Sequence, residues 1–390
     1  MIDEQAASRP LVATCSRGLE GVLAGELSTL GLAAVTPGRG FVAFSGDLRA
    51  VCQCNLRLRT AIRVIVPLVN GTVRGRDDLY RLAASTDWPA LVARGQTVAV
   101  DVAGANRAIR NTAFAAQVVK DAVVDSIRER CGWRPSVDRT EPDLRIHLHL
   151  SELVTSLGLD STGEPLSHRG YRPRGGPAPL AETLAAGVLL LAGYDGSTPL
   201  LDPMCGTGTV LVEAALIATR TAPGLSRRFA FERWGWSDRA LLDEARRAAE
   251  GERREAPCAI VGSDRDRRAV RAAARNLEAA GMTPWVSVEQ RDALDLELPW
   301  AEGGMIVTNP PYGRRMGECE QLADFYERFG DRLKGHARGA TAWLLVGNRE
   351  LAKRIGLRAS RKIPVFNGPI ECRLLKIELY AGSRKPTQSS

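Results

Sequence analysis

The sequence predicts an α/β chain in which a mostly parallel sheet, covered by helices on both faces, follows two smaller α/β units. Three observations carry this reading. From residue 180 onward, short buried-strand patterns alternate with longer helical ones, and such alternation places helices on both faces of a parallel sheet. Before residue 160, strands and helices also mix, but in two shorter sets. Between them stands STGEPLSHRGYRPRGGPAP, residues 161–179, rich in Gly, Pro and Arg and linker-like in texture. A length of 390 residues fits two or three domains. With 44% hydrophobic and 25% charged residues, a large core is available and disorder is expected only at the ends.

Each element follows from its pattern. In residues 1–66, LVATCS reads as a strand and GLEGVLAGELSTLG as an amphipathic helix stopped by Gly31. GFVAFSG is the next strand, a helical pattern runs from Asp47 to Arg59, and RVIVPLV is another strand. In residues 67–160, DDLYRLAAS is helical, QTVAVDVAG is a strand, and a helix spans Thr112 to Cys131. LRIHLHL and LVTSLGL form a strand pair that turns at Ser151 and Glu152. Neither unit holds a phosphate loop, a nucleophile elbow or a carboxylate pair, so residues 1–160 are expected to be binding apparatus. Residues 180–383 begin with a helix from Leu180 to Ala192. The alternation then runs through PLLDPMCGTGTVLVEAALIA, CAIVGSDRDRRAVRAAARNLEAAG, VSVEQRDAL, GGMIVTNPPYG and ATAWLLVGN. A Pro/Trp-containing loop and an Arg/Glu-rich helix, Arg220 to Ala256, interrupt it.

The net charge of +8 rests almost entirely on Arg, with only six Lys. Clustering gives that excess meaning. Leu48 to Arg76 carries Arg49, Arg57, Arg59, Arg63, Arg74 and Arg76 without one acid, and acid-free Pro165 to Pro179 carries Arg169, Arg172 and Arg174. Lys353, Arg354, Arg358, Arg361 and Lys362 form a third patch. Such stripes suit a polyanion such as a nucleic acid, and Arg57, Arg59, Arg169, Arg172 and Arg174 are its candidate contacts. The longest apolar run, Leu184 to Tyr194, is too short to span a bilayer. The opening MIDEQAASRP is wrong for a secretory signal, so a cytoplasmic protein with no membrane partner is expected. Eight Cys without a C-x-x-C, and no His at ligand spacing, predict reduced thiols and no metal. His147 and His149 fall on the polar side of an alternating strand, facing water or RNA.

Chemistry first becomes visible at LLDPMCGTGT, a buried strand entering a Gly turn and then a helix. Gly206 and Gly208, with Cys205 between strand and turn, would let a ligand approach the backbone, and the helix N-terminus would favour an anion. Dinucleotide enzymes use related turns, so this turn alone is unspecific. Three acids sharpen it. Asp202 ends the first strand, where a cationic amino or sulfonium group would lie. Asp264 ends the second, where an acid accepts ribose hydroxyls. Asp292 follows the third, suitably for an adenine amino group. No G-x-x-x-x-G-K-[ST] occurs, which disfavours a triphosphate. Together these residues predict S-adenosylmethionine as cofactor.

Thr308-Asn309-Pro310-Pro311-Tyr312-Gly313 directly follows the strand GMIVT. Two prolines cannot continue a ladder, and they stiffen the chain as it leaves the sheet. The Asn309 side-chain oxygen and the Pro310 carbonyl thereby become fixed acceptors. An exocyclic amine on a base is a weak nucleophile, because its lone pair is delocalised into the ring. Two acceptors on its two N–H groups would hold the nitrogen for in-line attack, and Tyr312 can stack on the base. Asn309, Pro310, Pro311 and Tyr312 are therefore the candidate catalytic residues.

DPMCGTGT with TNPPYG resembles the class I methyltransferases that modify amino nitrogens. HRGYRPRGGPAPLAETLAAG, APGLSRRFAFERW, SDRDRRAVRAAARNLEAAG, NPPYGRR and FNGPIECRLLK resemble the bacterial large-subunit ribosomal RNA guanine-N2 methyltransferases, over Ser167 to Lys376. The likeness is to the first half of fused members that carry a second methyltransferase domain. It implies a Rossmann-like, mostly parallel seven-stranded catalytic domain, preceded by α+β ferredoxin-like and THUMP RNA-binding domains. It also implies Thr183 at the methionine end of the cofactor and ribosomal RNA as partner. NLRLRTAIRV and DDLY fit the N-terminal part of that plan. Competing readings are a tRNA guanine-N2 methyltransferase, a DNA adenine or protein glutamine methyltransferase, and a catalytically idle RNA-binding or assembly factor.

Overall fold

The computed structural model describes residues 8–173, 180–313 and 318–380. They form two compact units, the first made of the described residues within 8–15, 23–166 and 224–248, and the second of those within 16–22, 167–223 and 249–380.

The first unit is built on one sheet of eight strands: β1 (Arg9–Cys15), β2 (Ala33–Pro37), β3 (Phe41–Gly46), β4 (Ala61–Gly71), β5 (Thr97–Gly104), β6 (Ser136–Val137), β7 (Leu144–Leu150) and β8 (Thr155–Asp160). Their order is β2-β3-β1-β4-β8-β7-β5-β6. The two small sets of elements read from the sequence thus share a sheet, because β4 and β8 pair antiparallel from Ile65↔Asp160 to Gly71↔Thr155. Its helices are most of α1 (Glu20–Thr29), α2 (Leu48–Arg57), α3 (Arg76–Ala84), the single turn α4 (Trp88–Leu91) and α5 (Thr112–Cys131). α5 runs over the predicted residues. The Asn111 side chain accepts the Phe114 N–H at its start, and Gly132 at φ 73° ends it. Val119, Ala122, Val123 and Ile127 recur at helical spacing and are fully buried. β7 alternates as read, with Leu144, Ile146, Leu148 and Leu150 inside. On its other face His149 is exposed but His147 is half-buried, and burial pushes that imidazole down to about 4, so it stays neutral at ordinary pH.

Two stretches pack differently from their sequence texture. Residues 161–166, read as the start of a linker, belong to the first unit: Ser161 and Thr162 are fully buried and both bond the Asn55 side chain, at 2.8 and 2.6 Å. Gly224–Ala248, within the loop and helix that interrupt the second half, also belongs to the first unit. The Arg227 guanidinium donates to the Pro165 carbonyl at 2.7 Å, and the Phe231 N–H donates to Ser161 O at 3.1 Å. Most of α8 (Arg239–Gly251) lies in this segment.

The second unit is a seven-stranded, mostly parallel sheet with α6 (Glu182–Leu191), α7 (Thr209–Ala218), α9 (Arg267–Ala279), α10 (Glu318–His336) and α11 (Arg349–Arg354). Its strands are β9 (Leu200–Asp202), β10 (Ile260–Asp264), β11 (Val286–Gln290), β12 (Met305–Thr308), β13 (Thr341–Val346), β14 (Arg361–Asn367) and β15 (Ile370–Glu378), in the order β11-β10-β9-β12-β13-β15-β14. β9 to β13 run parallel, and β15 pairs antiparallel with β13 and β14. Ile306, Ala342, Leu344 and Ile377 pack with Tyr326, Phe329 and Leu333 of α10. The order reverses between β9 and β12. At such a switch point the flanking connections leave in opposite directions and open a crevice at the carboxyl ends of the strands. Among the described residues no helix is long and apolar enough to cross a membrane.

Candidate functional site

The carboxyl ends of β9, β10, β11 and β12 carry the residues that the sequence singled out. Asp202 ends β9 and is 1% exposed, with Oδ1 accepting the Met204 N–H at 3.2 Å. Burial, with the Asp264 carboxylate nearby, pushes its carboxyl up to about 7. A buried carboxyl so disfavoured as an anion would be relieved by a cationic partner. Asp264, ending β10, accepts the Gly206 N–H on Oδ2 at 2.9 Å and the Asp266 N–H on Oδ1 at 2.9 Å. That bond ties the Gly turn after β9 to the end of β10. Asp292 lies two residues past β11 and caps a short 3-10 turn through the Leu294 N–H at 2.9 Å. It lines a cleft of about 670 Å³ with Arg265, Gln290, Arg291 and Asp295.

The two glycines of the turn do different work. Gly206 sits at φ 53°, and a Cβ there would meet nothing within 4 Å, so the backbone faces open space. Gly208, at φ 80°, would place a Cβ 2.9 Å from that of Ala273 on α9. Its close approach is to a helix, which gives this glycine a packing reason beside the expected one of admitting a ligand. Cys205 is buried beside them, its N–H on Ser263 O at 2.9 Å, and Thr183 is 1% exposed in the first turn of α6.

At the end of β12, Thr308 is buried, Asn309 half-buried, Pro310 buried and Pro311 exposed. The Tyr312 hydroxyl donates to Asn309 Oδ1. Its ring lies against Gly347, where an added Cβ would be 2.7 Å from Cδ2. Cys372 Sγ is 3.8 Å from the same hydroxyl, and the Asn367 side chain also bonds it. Burial raises the Tyr312 phenol far above its ordinary range, so it remains a donor. The Tyr326 hydroxyl donates to Pro311 O at 2.9 Å and fixes the second proline. A cavity of about 410 Å³, lined by Tyr312, Gly313, Gly347, Asn348 and Ile370, opens beside the motif. Gly347, Asn367, Cys372 and Tyr326 escaped sequence reasoning. FNGPIECRLLK carries only a family resemblance, and nothing local links Cys372 to a tyrosine 60 residues earlier.

The arginine expectations divide. Arg169 is 4% exposed, and its guanidinium donates to Glu213 through Nε at 3.2 Å and a terminal nitrogen at 3.3 Å. Arg172 is largely buried, donating to Glu182 at 2.8 Å and to the Leu180 carbonyl at 3.2 Å. Both were expected on an RNA surface. The structure corrects this, since each guanidinium is turned inward onto a buried carboxylate. Arg174 lies outside the described residues. Arg57 and Arg59, at and just after the end of α2, are half-buried.

Residues 169–376 match a family described as an RMKL-like methyltransferase domain, residues 10–65 an RlmL ferredoxin-like domain, and residues 74–160 a THUMP domain. A Synechocystis sp. protein named for RNA methyltransferase activity is 41% identical over 377 residues, which cover 96% of this chain and 98% of that one. The ribosomal RNA large subunit methyltransferase K/L of Syntrophotalea carbinolica is 41% identical over 94% of this chain. The match takes in only 53% of that enzyme, so the chain spans about half its length. Among solved structures, SMU.472 in complex with SAH aligns over 97% of this chain and 99% of its own, with a TM-score of 0.87 and 28% identity.

Proposed function

Because the chain belongs to the RMKL-like methyltransferase family, we propose that it methylates the exocyclic N2 amine of a guanine in large-subunit ribosomal RNA, with S-adenosylmethionine as the donor. One observation carries the reading: TNPPYG leaves β12 directly beside the buried Asp202 at the end of β9, at the switch point of the sheet. The THUMP and RlmL-type domains, and relatives named for ribosomal RNA, support RNA over DNA or protein.

The strand ends fit the cofactor. Asp202 is a buried carboxyl suited to a cationic partner, Gly206 leaves the backbone accessible, and Asp264 and Asp292 are acceptors at successive strand ends. Asp202, Cys205, Gly206 and Thr183 would hold the methionine end, Asp264 the ribose and Asp292 the adenine. When bound, the cofactor supplies a methyl group on a cationic sulfur. Asn309 Oδ1 and the Pro310 carbonyl accept the two amine hydrogens and aim the nitrogen lone pair away from the ring plane. Tyr312 flanks the base, and the prolines keep both acceptors from relaxing. Methylation makes the nitrogen acidic, so its proton passes to water without a dedicated base. Arg57 and Arg59 are the proposed RNA contacts of the first unit.

The test is incubation with radiolabelled S-adenosylmethionine and unmodified total RNA, followed by separation of ribosomal from transfer RNA and nucleoside analysis. Label in N2-methylguanosine of large-subunit RNA is expected. The same nucleoside in transfer RNA would reassign the substrate, and no label in RNA would overturn the reading.

Asp202 also predicts a pH dependence. Its carboxyl titrates near 7 in the free protein, well above its value of 3.8 in the unfolded chain. Its stabilising contribution is therefore complete below about pH 4 and lost as pH rises through 7. A cationic ligand reverses the preference, because only the ionised carboxylate attracts it. Affinity for S-adenosylhomocysteine, whose ammonium group is the cation here, should be about tenfold weaker at pH 6 than at pH 8 by calorimetry, and Asp202→Asn should flatten the profile. A profile unchanged by Asp202→Asn would remove Asp202 from the ligand's cationic end.

A further inference from the structure

Tyr312 is more elaborately seated than stacking on a base requires. Its ring rests on Gly347, its hydroxyl meets Cys372 and Asn367, and that hydroxyl donates to Asn309 Oδ1. The last contact matters most. Asn309 Oδ1 is the acceptor that the proposed reaction gives to the substrate amine, and here a neutral phenol, kept protonated by burial, is directed at it. Among the described residues the seat is specific. The β14–β15 hairpin contributes Asn367 and Cys372, while Gly347, just past β13, leaves no room for a Cβ beside the ring.

We propose that Tyr312 is a gate as well as a wall: its hydroxyl satisfies the Asn309 acceptor while the base pocket is empty, and the incoming amine displaces it. Gly347, Asn367 and Cys372 are the positioning residues that hold the gate shut. The inference rests on the amine-methyltransferase reading and adds a competition within that site. A half-buried amide oxygen gains from a fixed donor, so the phenol stabilises the empty pocket. The same contact lowers apparent RNA affinity, because only the fraction with Tyr312 displaced is competent to bind the base.

Removing the hydroxyl while keeping the ring separates this from simple positioning. Tyr312→Phe should lower the KM for unmethylated large-subunit RNA about fivefold, the worth of one net hydrogen bond. Gly347→Ala, which pushes the ring off its seat, should shift KM in the same direction. If Tyr312→Phe raises KM, or lowers kcat/KM, the hydroxyl instead holds Asn309 in its productive orientation and the gate is refuted. A second readout does not depend on turnover. In protein labelled with 3-fluorotyrosine, the resonance lost in Tyr312→Phe should move when RNA and S-adenosylhomocysteine are added together to the otherwise unaltered chain. A resonance that stays fixed in a protein that does methylate RNA refutes the gate alone. A wild-type protein that methylates no RNA refutes the functional reading beneath it.

Discussion

Asn309→Ala is expected to lower turnover on RNA by about 10²- to 10³-fold, the scale seen when one preorganised polar group is removed from a reacting centre. Cofactor affinity should stay nearly unchanged. The side chain sits at the end of β12, and its partner among the described contacts is the Tyr312 hydroxyl rather than any residue of the Gly turn. Truncation therefore removes an acceptor for the amine and leaves Asp202, Gly206 and Asp264 as they are. Asp264→Ala makes the opposite test. It deletes the acceptor for the Gly206 N–H and the Asp266 N–H together with the proposed ribose contact, so S-adenosylhomocysteine binding should weaken about 10- to 100-fold. Single-turnover rates at saturating cofactor separate the two. If Asn309→Ala weakened cofactor binding, or both variants lost only RNA affinity, the division of the site into a cofactor half and a base half would be wrong.

Much of the placement of these residues was legible because it follows strand ends. A buried strand followed by a Gly turn, then acids after the second and third strands, forms a row only if the sheet is parallel, and strand–helix alternation predicts such a sheet. The order in which those strands lie side by side was not legible. β12 returns to pair with β9 rather than extending the row past β11, and this adjacency brings TNPPYG beside Asp202. Periodicity was sufficient for α5, where four apolar residues at helical spacing bury one face and Asn111 and Gly132 mark the ends. It was insufficient for β2, which is exposed along nearly its whole length and carries no alternation to read. The turn of α4 and the two-residue β6 are too short to produce a period.

The failures share a cause: local composition does not reveal a distant partner. Residues 161–166 look like linker because Ser, Thr, Gly and Pro favour turns. Asn55 converts Ser161 and Thr162 into buried hydrogen-bonded core. Gly208 reads as a ligand glycine from its motif alone, and only the fold shows Ala273 2.9 Å from where its Cβ would be. Cys372 and Asn367 look inert until the hairpin that carries them meets Tyr312. Charge is the extreme case, since a cluster of arginines reads as a basic surface unless the matching acids are known.

Arg169 shows how large that error is, and it yields the prediction with the greatest effect on stability. Its side chain is 2% exposed and that of Glu213 is 0% exposed, and two N–H···O contacts join them. The Tyr171 hydroxyl, at 3.4 Å, also donates to the carboxylate. Arg169→Ala would strip the buried Glu213 carboxylate of its two charge-assisted donors, which costs about 3–5 kcal/mol. For a unit of this size that lowers the unfolding midpoint by about 6–20 °C. Scanning calorimetry should record that fall with no RNA present, whereas loss of a surface RNA contact leaves the midpoint unmoved. Replacing both partners by apolar residues, Arg169→Met with Glu213→Leu, should recover most of the loss, because the cost arises from the orphaned charge rather than from the missing attraction. If Arg169→Ala instead melts like the wild type and its RNA affinity loses salt dependence, the guanidinium reaches phosphate after all and its burial against Glu213 is not the working state.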